Sequence, residues 1–360
     1  VLHVFSGLRR NGAESRTMDI YRNIDRSRVQ FDFVVHTNEK CDFDEEVLQM
    51  GAKIYRVPSY KIYNHVVYCA TWDKLFQKHP EYNVIHIHTT NTAAPILAMA
   101  KKNGVQHRIV HARNAMQSGF IKKQFLKMTR KQINDAATLR FAVSKEAGDY
   151  VFGKEKYKIL PNAIETRKYK FSMQNRECYR KKLNIENKIT VGHIGRFIEQ
   201  KNHTWLIDVF QAFHVKHPES ALLLVGVGEK EQEIEEYVRN RKLTDAVIFL
   251  GKRSDVPKLL SALDVFVFPS LFEGLPGVVL EAQANGLPCV ISNAITKEVQ
   301  ITDLVEFVDL GTTEGYWVER IEAALAKGRK NTYQEFVDQG FDIIGLAKLY
   351  EEIYLDLAKD

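Results

Sequence analysis

The sequence has few cysteines and no long apolar run. Only four of its 360 residues are cysteine, and Cys41, Cys69, Cys178 and Cys289 form no Cys-x-x-Cys pair. This spacing argues against a zinc site or a disulfide scaffold and is typical of a reducing compartment. No apolar stretch reaches the roughly 18 residues that a membrane-spanning helix needs. Because no basic-then-apolar leader precedes the first strand-like run, we expect a cytoplasmic protein.

A complete dinucleotide-binding fingerprint is also missing. Gly226 and Gly228 follow an apolar strand-like run, but Glu231 occupies the position of the third glycine in G-x-G-x-x-G. Neither half of the chain supplies the full motif with an acidic residue about 20 positions later. No sequence motif therefore supports the alternative hypothesis of a nicotinamide-dependent oxidoreductase. We expect the protein to use no cofactor.

Acidic residues are scarce in the first half of the chain. Residues 1–164 contain 26 Lys and Arg against 15 Asp and Glu, whereas the remainder contains 25 against 30. The net charge of +6 thus conceals a basic first half and an acidic second half. We expect only the first half to meet an anionic partner. Nucleic acid is a poor candidate, because the basic residues come with no recognition motif.

Short β-branched runs alternate with longer helical stretches along the chain, which predicts parallel sheets with crossover helices. Two successive series of this kind indicate an α/β protein with two doubly wound, Rossmann-like domains. The strand pattern stops after Pro161-Asn162-Ala163, so we place the domains at residues 1–163 and 164–344. A last helix with one apolar face is predicted near the C-terminus, and residues 345–360 could pack back on the first domain.

The segment that follows the strand-like run Val265–Phe268 is suited to binding a phosphate. In an open parallel sheet, ligands bind beyond the carboxyl ends of the strands. Gly274 and Gly277 let the backbone approach a ligand, and Pro276 suits the first turn of a helix predicted over residues 276–285. The free amides and positive dipole end of a helix start attract a phosphate or diphosphate.

Two carboxylates flank this helix start. Glu273 lies in the loop, and Glu281 lies about one turn into the helix, where it can accept hydrogen bonds from paired sugar hydroxyls. The segment resembles the Glu-x7-Glu motif of retaining glycosyltransferases of the GT4 type. That family has the GT-B fold, in which two Rossmann-like domains face each other across a cleft. Other segments resemble the family in the same order: Gly12-Ala13-Glu14, Gly192–Phe197, Gln200-Lys201-Asn202, Leu223–Gly228 and Phe249-Leu250-Gly251.

The resemblance covers nearly the whole chain. Within the family, the chain most resembles bacterial exopolysaccharide and capsule transferases. The resemblance implies a role for each matched residue. Arg196 and Lys201 would hold the donor diphosphate, because a guanidinium and an ammonium neutralise charge that grows on the leaving phosphate. Glu281 would bind the nucleotide ribose, and Glu273 would lie against the donor sugar. The loop that would supply backbone donors consists of Gly274, Leu275, Pro276 and Gly277.

Two matched residues lie in the first domain. Gly12 would let that domain approach the diphosphate, although Asn11 stands where the family usually has a second glycine. His111 aligns with a family histidine near the reacting sugar, which makes His111 and Glu273 the candidate catalytic residues. Other histidines also lie in or beside predicted strands, so a hydrogen-bonded core role for His111 stays open.

The resemblance implies transfer of a hexosyl group from a nucleotide sugar, with UDP favoured over GDP and ADP, and with retention at the anomeric carbon. No covalent nucleophile is evident, and the family is described with front-face attack, in which the leaving phosphate oxygen takes the acceptor's proton. The implied acceptor is a glycan or a polyprenyl-diphosphate-linked sugar in surface polysaccharide synthesis. A non-catalytic sugar-binding relative is the alternative. It would be expected to lack one of four residues that are all present: Arg196, Lys201, Glu273 and Glu281.

An Asp-x-Asp sequence at Asp42 and Asp44 is the pattern that binds a metal–diphosphate unit in the other main glycosyltransferase fold. Its place in an acidic loop before a short predicted helix also suits plain stabilisation of a helix N-terminus. We expect no metal site and a metal-independent enzyme.

The stretch from Arg113 to Asn134 contains no acidic residue. Apolar residues are interleaved with its cations at roughly helical spacing. A helix with apolar and cationic faces can lie in the interface of an anionic membrane. Packing of the apolar face in the core, with the cations solvated, is an equal alternative. The cations are Arg113, Lys122, Lys123, Lys127, Arg130 and Lys131.

Overall fold

The computed structural model describes residues 1–113 and 120–359, which divide into two compact units. Unit 1 comprises Val1–Ala163 together with Asp342–Asp360, and unit 2 comprises Ile164–Phe341. Each unit is a parallel sheet with helices on both faces, which confirms the predicted Rossmann-like class. In the described part of the chain, every helix is too short or too polar to cross a membrane.

The described residues of unit 1 form seven parallel strands and, between them, six α-helices. The strands are β1 (Leu2–Phe5), β2 (Asp32–Val35), β3 (Ile54–Arg56), β4 (Val84–Ile87), β5 (His107–Ala112), β6 (Leu139–Ala142) and β7 (Lys158–Ile159). Their order in the sheet is β3-β2-β1-β4-β5-β6-β7. The helices are α1 (Gly12–Asn23), α2 (Asp44–Gln49), α3 (His65–Lys78), α4 (Ala93–Lys102), α5 (Phe120–Ala136) and α6 (Lys145–Phe152).

Unit 2 repeats this winding with six parallel strands. They are β8 (Ile189–Ile194), β9 (Ser220–Val225), β10 (Val247–Phe249), β11 (Val265–Phe268), β12 (Cys289–Ser292) and β13 (Val305–Val308). Their order is β10-β9-β8-β11-β12-β13. Its helices are α7 (Met173–Lys182), α8 (His203–Lys216), α9 (Glu231–Asn240), α10 (Val256–Ala262), α11 (Gly277–Ala284), α12 (Glu314–Lys327) and α13 (Tyr333–Asp338).

The last helix, α14 (Ile343–Leu357), belongs to unit 1, where it packs against α1. Asp342 caps its N-terminus, because the Oδ2 atom accepts hydrogen bonds from the amides of Ile344 and Gly345. Tyr350 and Tyr354 are buried on its inner face, four residues apart and therefore on one side of the helix. The cap explains why the helix begins at Ile343, two residues before the predicted start.

Both faces of each sheet are packed with apolar side chains. In β1, Leu2 and Val4 point into one core of unit 1, whereas Phe5 points into the other. Strands buried on both faces are the expected result of crossover helices on both sides of a parallel sheet. Most polar residues that could bind a ligand therefore lie in the loops after the strands, and the exceptions include buried histidines in β1, β4, β5 and β8.

Candidate functional site

Two loops at the carboxyl edge of the second sheet are held together by hydrogen bonds. They follow β8 and β11, which are neighbouring strands. The amide of Leu271 donates to the carbonyl of Gln200 (2.9 Å), and the side-chain amide of Gln200 donates to the carbonyl of Phe272 (2.8 Å). These bonds bring Lys201 beside Glu273, two residues whose roles the sequence predicted separately.

Lys201 and Glu273 form an ion pair that is largely withdrawn from solvent, with side-chain exposures of 15% and 12%. The hydroxyl of Ser270 donates to Glu273 Oε1 at 3.1 Å. The ammonium also lies 4.7 Å from the centroid of the Phe268 ring. Because an ammonium has three N–H donors, the contact with Glu273 leaves capacity to bind an anion. The pair thus fixes a cation at the edge of the sheet.

Arg196 is the second residue after β8 and is exposed. Within the described ranges its guanidinium takes part in no ion pair or side-chain hydrogen bond. The loop that carries it lies close to two glycines after β9. A Cβ atom on Gly226 would lie 2.0 Å from the carbonyl oxygen of Gly195, and one on Gly228 would lie 2.4 Å from that of Phe197. The glycine pair is therefore explained by this close approach, and not by a dinucleotide fingerprint.

The helix after β11 begins at Gly277, one residue later than predicted, because Pro276 has extended backbone angles and is the N-cap residue. The carbonyl of Pro276 accepts hydrogen bonds from the amides of Val279 and Leu280. The amides of Gly277 and Val278 precede these and have no earlier helical carbonyl to bond. Two backbone donors and the positive end of α11 are thus located at the predicted phosphate-binding position.

The remaining predicted donor residues lie around this helix start. Gly274 is exposed, and a Cβ atom there would meet nothing within 4 Å, so packing of the chain itself does not require a glycine. Leu275 is half-buried against one core of unit 2. Glu281 lies half-buried in the second turn of α11. All the predicted donor residues except Gly12 therefore lie in unit 2, at or after the ends of β8 and β11.

Gly12 is the first residue of α1 and is exposed at the carboxyl edge of the first sheet, just after β1. A Cβ atom would meet nothing within 4 Å there either. The N-cap residue, Asn11, makes no side-chain hydrogen bond to the helix amides. Among the described residues, the amides of Gly12 and Ala13 at the start of α1 therefore have no side-chain cap from Asn11.

His111 lies in β5 and is completely buried, so the structure places this predicted catalytic residue in the core of unit 1. Its Nδ1 atom lies 3.2 Å from His86 Nε2 and 3.4 Å from the hydroxyl of Tyr350. Its Nε2 atom has no hydrogen-bond partner among the described residues. A direct role for His111 stays a prediction, which requires that Nε2 become accessible to substrate.

His111 belongs to a row of four buried histidines, which we call the histidine row: His3, His86, His88 and His111. Burial holds the pKa of each ring well below its usual value, so all four are neutral near pH 7. The rings lie on one face of β1, β4 and β5, under Tyr350 and Tyr354 of α14. The alternation His86-Ile87-His88 was a sequence signal for this shared face.

The histidine row is connected by hydrogen bonds and does not have the form of a metal site. Nitrogen atoms of His3, His86 and His88 lie within 4.8 Å of one another. However, His3 Nδ1 and His88 Nε2 are hydrogen-bonded at 3.0 Å, and the rings of His86 and His88 are stacked with centroids 4.4 Å apart. The guanidinium of Arg113 donates to His88 Nδ1, and its positive charge would repel a metal cation.

The sequence did not predict a separate role for Arg113, because it was grouped with the other cations of the stretch from Arg113 to Asn134. It directly follows β5, and its Nε, Nη1 and Nη2 atoms donate to His88, Asn162 and Thr17. Of the later residues of that stretch, Leu126 and Ile133 are buried in the core, which supports the core-packing alternative for their face of α5.

The Asp-x-Asp carboxylates make structural contacts. Asp42 Oδ2 accepts a hydrogen bond from the amide of Arg10 (2.9 Å). Asp44 is buried in the first turn of α2, where its Oδ2 atom accepts from the amide of Cys41 (3.0 Å) and pairs with Arg56 (2.6 Å). These contacts fit the helix-terminus explanation of the motif.

Sequence comparisons agree with this geometry. The model of the family "Glycosyl transferases group 1" matches residues 175–340. The chain is 35% identical over 355 residues to EpsF of Bacillus subtilis, which is named as a glycosyltransferase, covering 96% of this chain and 92% of EpsF. It is 25% identical to the UDP-Gal:alpha-D-GlcNAc-diphosphoundecaprenol alpha-1,3-galactosyltransferase of Escherichia coli, covering 79% of this chain and 78% of that protein.

Solved structures with the same architecture include HepE of Anabaena in complex with UDP and the lipopolysaccharide outer core galactosyltransferase WaaB. HepE superposes with a TM-score of 0.76 at 19% identity, covering 99% of this chain and 96% of HepE. WaaB superposes with a TM-score of 0.73 at 14% identity, covering 98% of both chains. At such identities the likeness establishes the fold, which is the predicted GT-B fold.

Proposed function

The chain belongs to the group 1 family of glycosyl transferases, and we propose that it moves a hexosyl group from a UDP-sugar to a glycan or to a polyprenyl-diphosphate-linked sugar. We further propose that the transfer retains the anomeric configuration and contributes to a surface polysaccharide. The Escherichia coli relative, named for a UDP-Gal donor and a diphosphoundecaprenol acceptor, supports this choice of substrates. The relative CapH of Staphylococcus aureus, named for capsular polysaccharide biosynthesis, supports the pathway.

The observation that carries the proposal is the group of cations and helix amides at the carboxyl edge of the second sheet. Lys201 is held by Glu273, Arg196 is exposed beside it in the chain, and Gly277 and Val278 present backbone donors. A diphosphate satisfies such a group, because each element offers hydrogen-bond donors or positive charge. The same group also suits the charge that develops on a diphosphate as it leaves.

In the proposed reaction, the bond between the anomeric carbon and the diphosphate oxygen breaks, and a bond to the acceptor oxygen forms on the same face. The acceptor proton passes to the leaving phosphate oxygen, so no protein base is needed. Arg196 and Lys201 stabilise the departing diphosphate, Glu281 holds the ribose, and Glu273 orients Lys201 and the donor sugar. The protein requires no cofactor and no metal ion in this scheme.

Calorimetry with UDP, GDP, ADP and NAD tests the donor site. We expect UDP to bind best, and Glu281→Ala to weaken UDP binding about 10-fold, because a hydrogen bond to a charged group contributes about 1.5–3 kcal/mol. Glu235→Ala, on the exposed face of α9, is the matched control and should bind UDP normally. Binding of NAD alone, or equal UDP affinity in Glu281→Ala and wild type, would contradict the donor-site assignment.

A transfer assay tests the chemistry. Radiolabelled sugar should pass from a UDP-sugar to a lipid-linked acceptor, and the product should keep the anomeric configuration of the donor. EDTA should leave the rate unchanged if the reaction needs no metal. Binding of the UDP-sugar with neither transfer nor hydrolysis would instead support the non-catalytic alternative.

We also propose that unit 1 docks on an anionic membrane surface, where a lipid-linked acceptor would reside. Support comes from an exposed apolar group before and in α3, where Ile62, Tyr63, Val66 and Val67 are 74%, 82%, 79% and 63% exposed. Lys61 lies beside it, with its ammonium 5.5 Å from the Tyr63 ring. Apolar residues flanked by cations bind the interface of anionic bilayers.

Co-sedimentation with vesicles tests this docking. Wild-type protein should pellet with phosphatidylglycerol vesicles and less with phosphatidylcholine vesicles. Tyr63→Glu combined with Val66→Glu should lower the bound fraction without changing the UDP affinity. Val215→Glu, at an equally exposed apolar residue of unit 2, is the control. Equal pelleting of both variants would contradict the proposed surface.

A further inference from the structure

Unit 1 contains a cation that forms no ion pair within the described residues, although the Glu14 carboxylate is near enough to interact with it electrostatically. Arg113 is partly exposed at the carboxyl edge of the first sheet, and its described hydrogen-bond partners are all neutral. Arginine is rarely placed in such a site unless its charge is paired. Burial lowers the pKa of the Arg113 guanidinium, which reflects the free-energy cost of keeping the charge there.

The distances around Arg113 show that its neighbours are not strong partners. Its Nε atom lies 3.1 Å from His88 Nδ1, and its Nη1 and Nη2 atoms lie 3.3 Å from Asn162 Oδ1 and Thr17 Oγ1. Charge-assisted hydrogen bonds are typically 2.7–2.9 Å long. Each terminal nitrogen also carries a second hydrogen, and the Tyr350 hydroxyl takes up one of these in a further neutral contact. The guanidinium therefore retains capacity for a shorter, charged hydrogen bond.

Arg108, near the other end of β5, shows what a structural arginine looks like in this unit. It also bonds neutral acceptors, but its Nε atom lies 2.8 Å from the carbonyl of Ala136, and its Nη1 atom lies 2.5 Å from that of Val105. These bonds connect the amino end of the strand to nearby turns. Arg108 and Arg113 thus differ both in the lengths of their hydrogen bonds and in the edge of the sheet at which they lie.

The hydrogen bond to His88 orients Arg113 through the histidine row. Because an arginine can only donate, His88 Nδ1 must be the acceptor and His88 Nε2 must carry the ring proton. That proton is then donated to His3 Nδ1, 3.0 Å away. A chain of directed bonds therefore runs from Arg113 into the core and holds the guanidinium at the edge where ligands of parallel sheets bind.

We infer that Arg113 is an anion-binding residue of unit 1, which binds a phosphate group of a substrate through its guanidinium. The inference rests on the proposed glycosyl transfer, in which the UDP-sugar donor and a lipid-linked acceptor each carry a diphosphate. Either diphosphate has the required chemistry: a multiply charged anion with oxygens that match the planar fork of an arginine. The start of α1, with Gly12, lies at the same edge and offers further donors to the same anion.

The test measures binding of two probes, UDP and farnesyl diphosphate, by calorimetry on the full chain. Arg113→Gln should weaken binding of one or both probes about 10- to 100-fold, the range for loss of a charged hydrogen bond. Arg113→Lys keeps the charge but loses the planar fork, so its affinity should lie between those of wild type and Arg113→Gln. Arg108→Gln should bind both probes as wild type does. Circular dichroism confirms folding of each variant, and Arg113→Lys serves as the test if Arg113→Gln does not fold.

The probe whose affinity falls shows whether Arg113 binds the diphosphate of the donor or that of the acceptor. A loss for UDP alone assigns Arg113 to the donor, and a loss for farnesyl diphosphate alone assigns it to the acceptor. Unchanged affinity for both probes in a folded Arg113→Gln variant would overturn the inference. A failure of the proposed function looks different, because wild-type protein would then bind no UDP and Glu281→Ala would have no effect.

Discussion

Units 1 and 2 have the same strand order around β1 and β8, yet they hold their polar residues in different places. In unit 1, His86 and His111 lie inside the sheet, hydrogen-bonded to each other and to tyrosines of α14, and His3 lies beside them, hydrogen-bonded to His88. In unit 2, Lys201 and Glu273 lie in loops after the strands, and the corresponding core is lined mainly by apolar residues. The comparison shows that the same sheet topology can bury titratable side chains in the core or place them in loops that face a ligand.

The internal histidines carry a cost that the loop residues do not. A neutral histidine in the core cannot take up a proton without moving into a more polar environment. Loop residues can exchange their partners for a ligand. The two units should therefore respond differently to perturbation, unit 1 through its stability in acid and unit 2 through its ligand chemistry.

The largest expected effect is a loss of folding stability in unit 1 at acidic pH. Unit 1 has five buried histidines with lowered pKa, including His36 at about 4, whereas unit 2 has two, His193 and His203, the latter at about 4. Because each folded pKa is lower than the unfolded value of about 6.5, stability is complete above that pH and falls as pH decreases below it. At pH 5.5 the loss is about 1 kcal/mol for each histidine.

Pulsed hydrogen exchange in urea at pH 7.5 and pH 5.5 measures this loss for each unit. Peptides from β4 should become unprotected at lower urea concentration at pH 5.5, and peptides from β9 should shift much less. An equal shift in both units would mean that the histidine row does not limit acid stability.

The second effect concerns the ligand chemistry of unit 2. Lys201→Ala should reduce kcat of glycosyl transfer about 100- to 1000-fold, the range found when one group that stabilises developing charge is removed. Lys230→Ala removes another ion-paired lysine of unit 2, which contacts Glu199 and Glu233, and should change kcat little. A Lys201→Ala enzyme that transfers sugar at the wild-type rate would remove this lysine from the proposed site.

The smallest effect concerns the glycine that lets the Arg196 loop approach β9. Gly226→Ala should destabilise unit 2 by about 1–3 kcal/mol, because its backbone has a φ of +146° and the new methyl would overlap the carbonyl of Gly195. Gly345→Ala lies in α14 with open space around it and should stabilise unit 1 by about 0.5–1 kcal/mol. Urea denaturation that shows the same sign for both variants would contradict the close-approach explanation.

Much of the fold follows from local sequence signals. Short β-branched runs that alternate with helical stretches predicted the two parallel sheets, and the stop in strand pattern after Ala163 marked a change of organisation. The start of α11 was predicted to within one residue, because Pro276 and Gly277 act on the backbone locally. Capping by Asp342 was missed, and with it the first two residues of α14.

The candidate site was predictable where its residues form a short motif. Glu273 and Glu281 are separated by one loop and one helical turn, so their spacing describes a local structure. The ion pair of Lys201 with Glu273 joins residues 72 positions apart and depends on the adjacency of β8 and β11. The bond from Arg113 to His88 depends in the same way on β4 lying beside β5.

For this protein, the residue pattern was sufficient to indicate the fold class and the donor-site motif, because turns, caps and apolar periodicity act over a few residues. Tertiary structure decided which polar groups meet. It buried the histidine row, joined Arg113 to His88, placed Lys201 against Glu273, and packed α14 on unit 1. Those contacts arise from strand order and crossover packing, which pair residues that are distant in the chain and leave little local signal in the sequence.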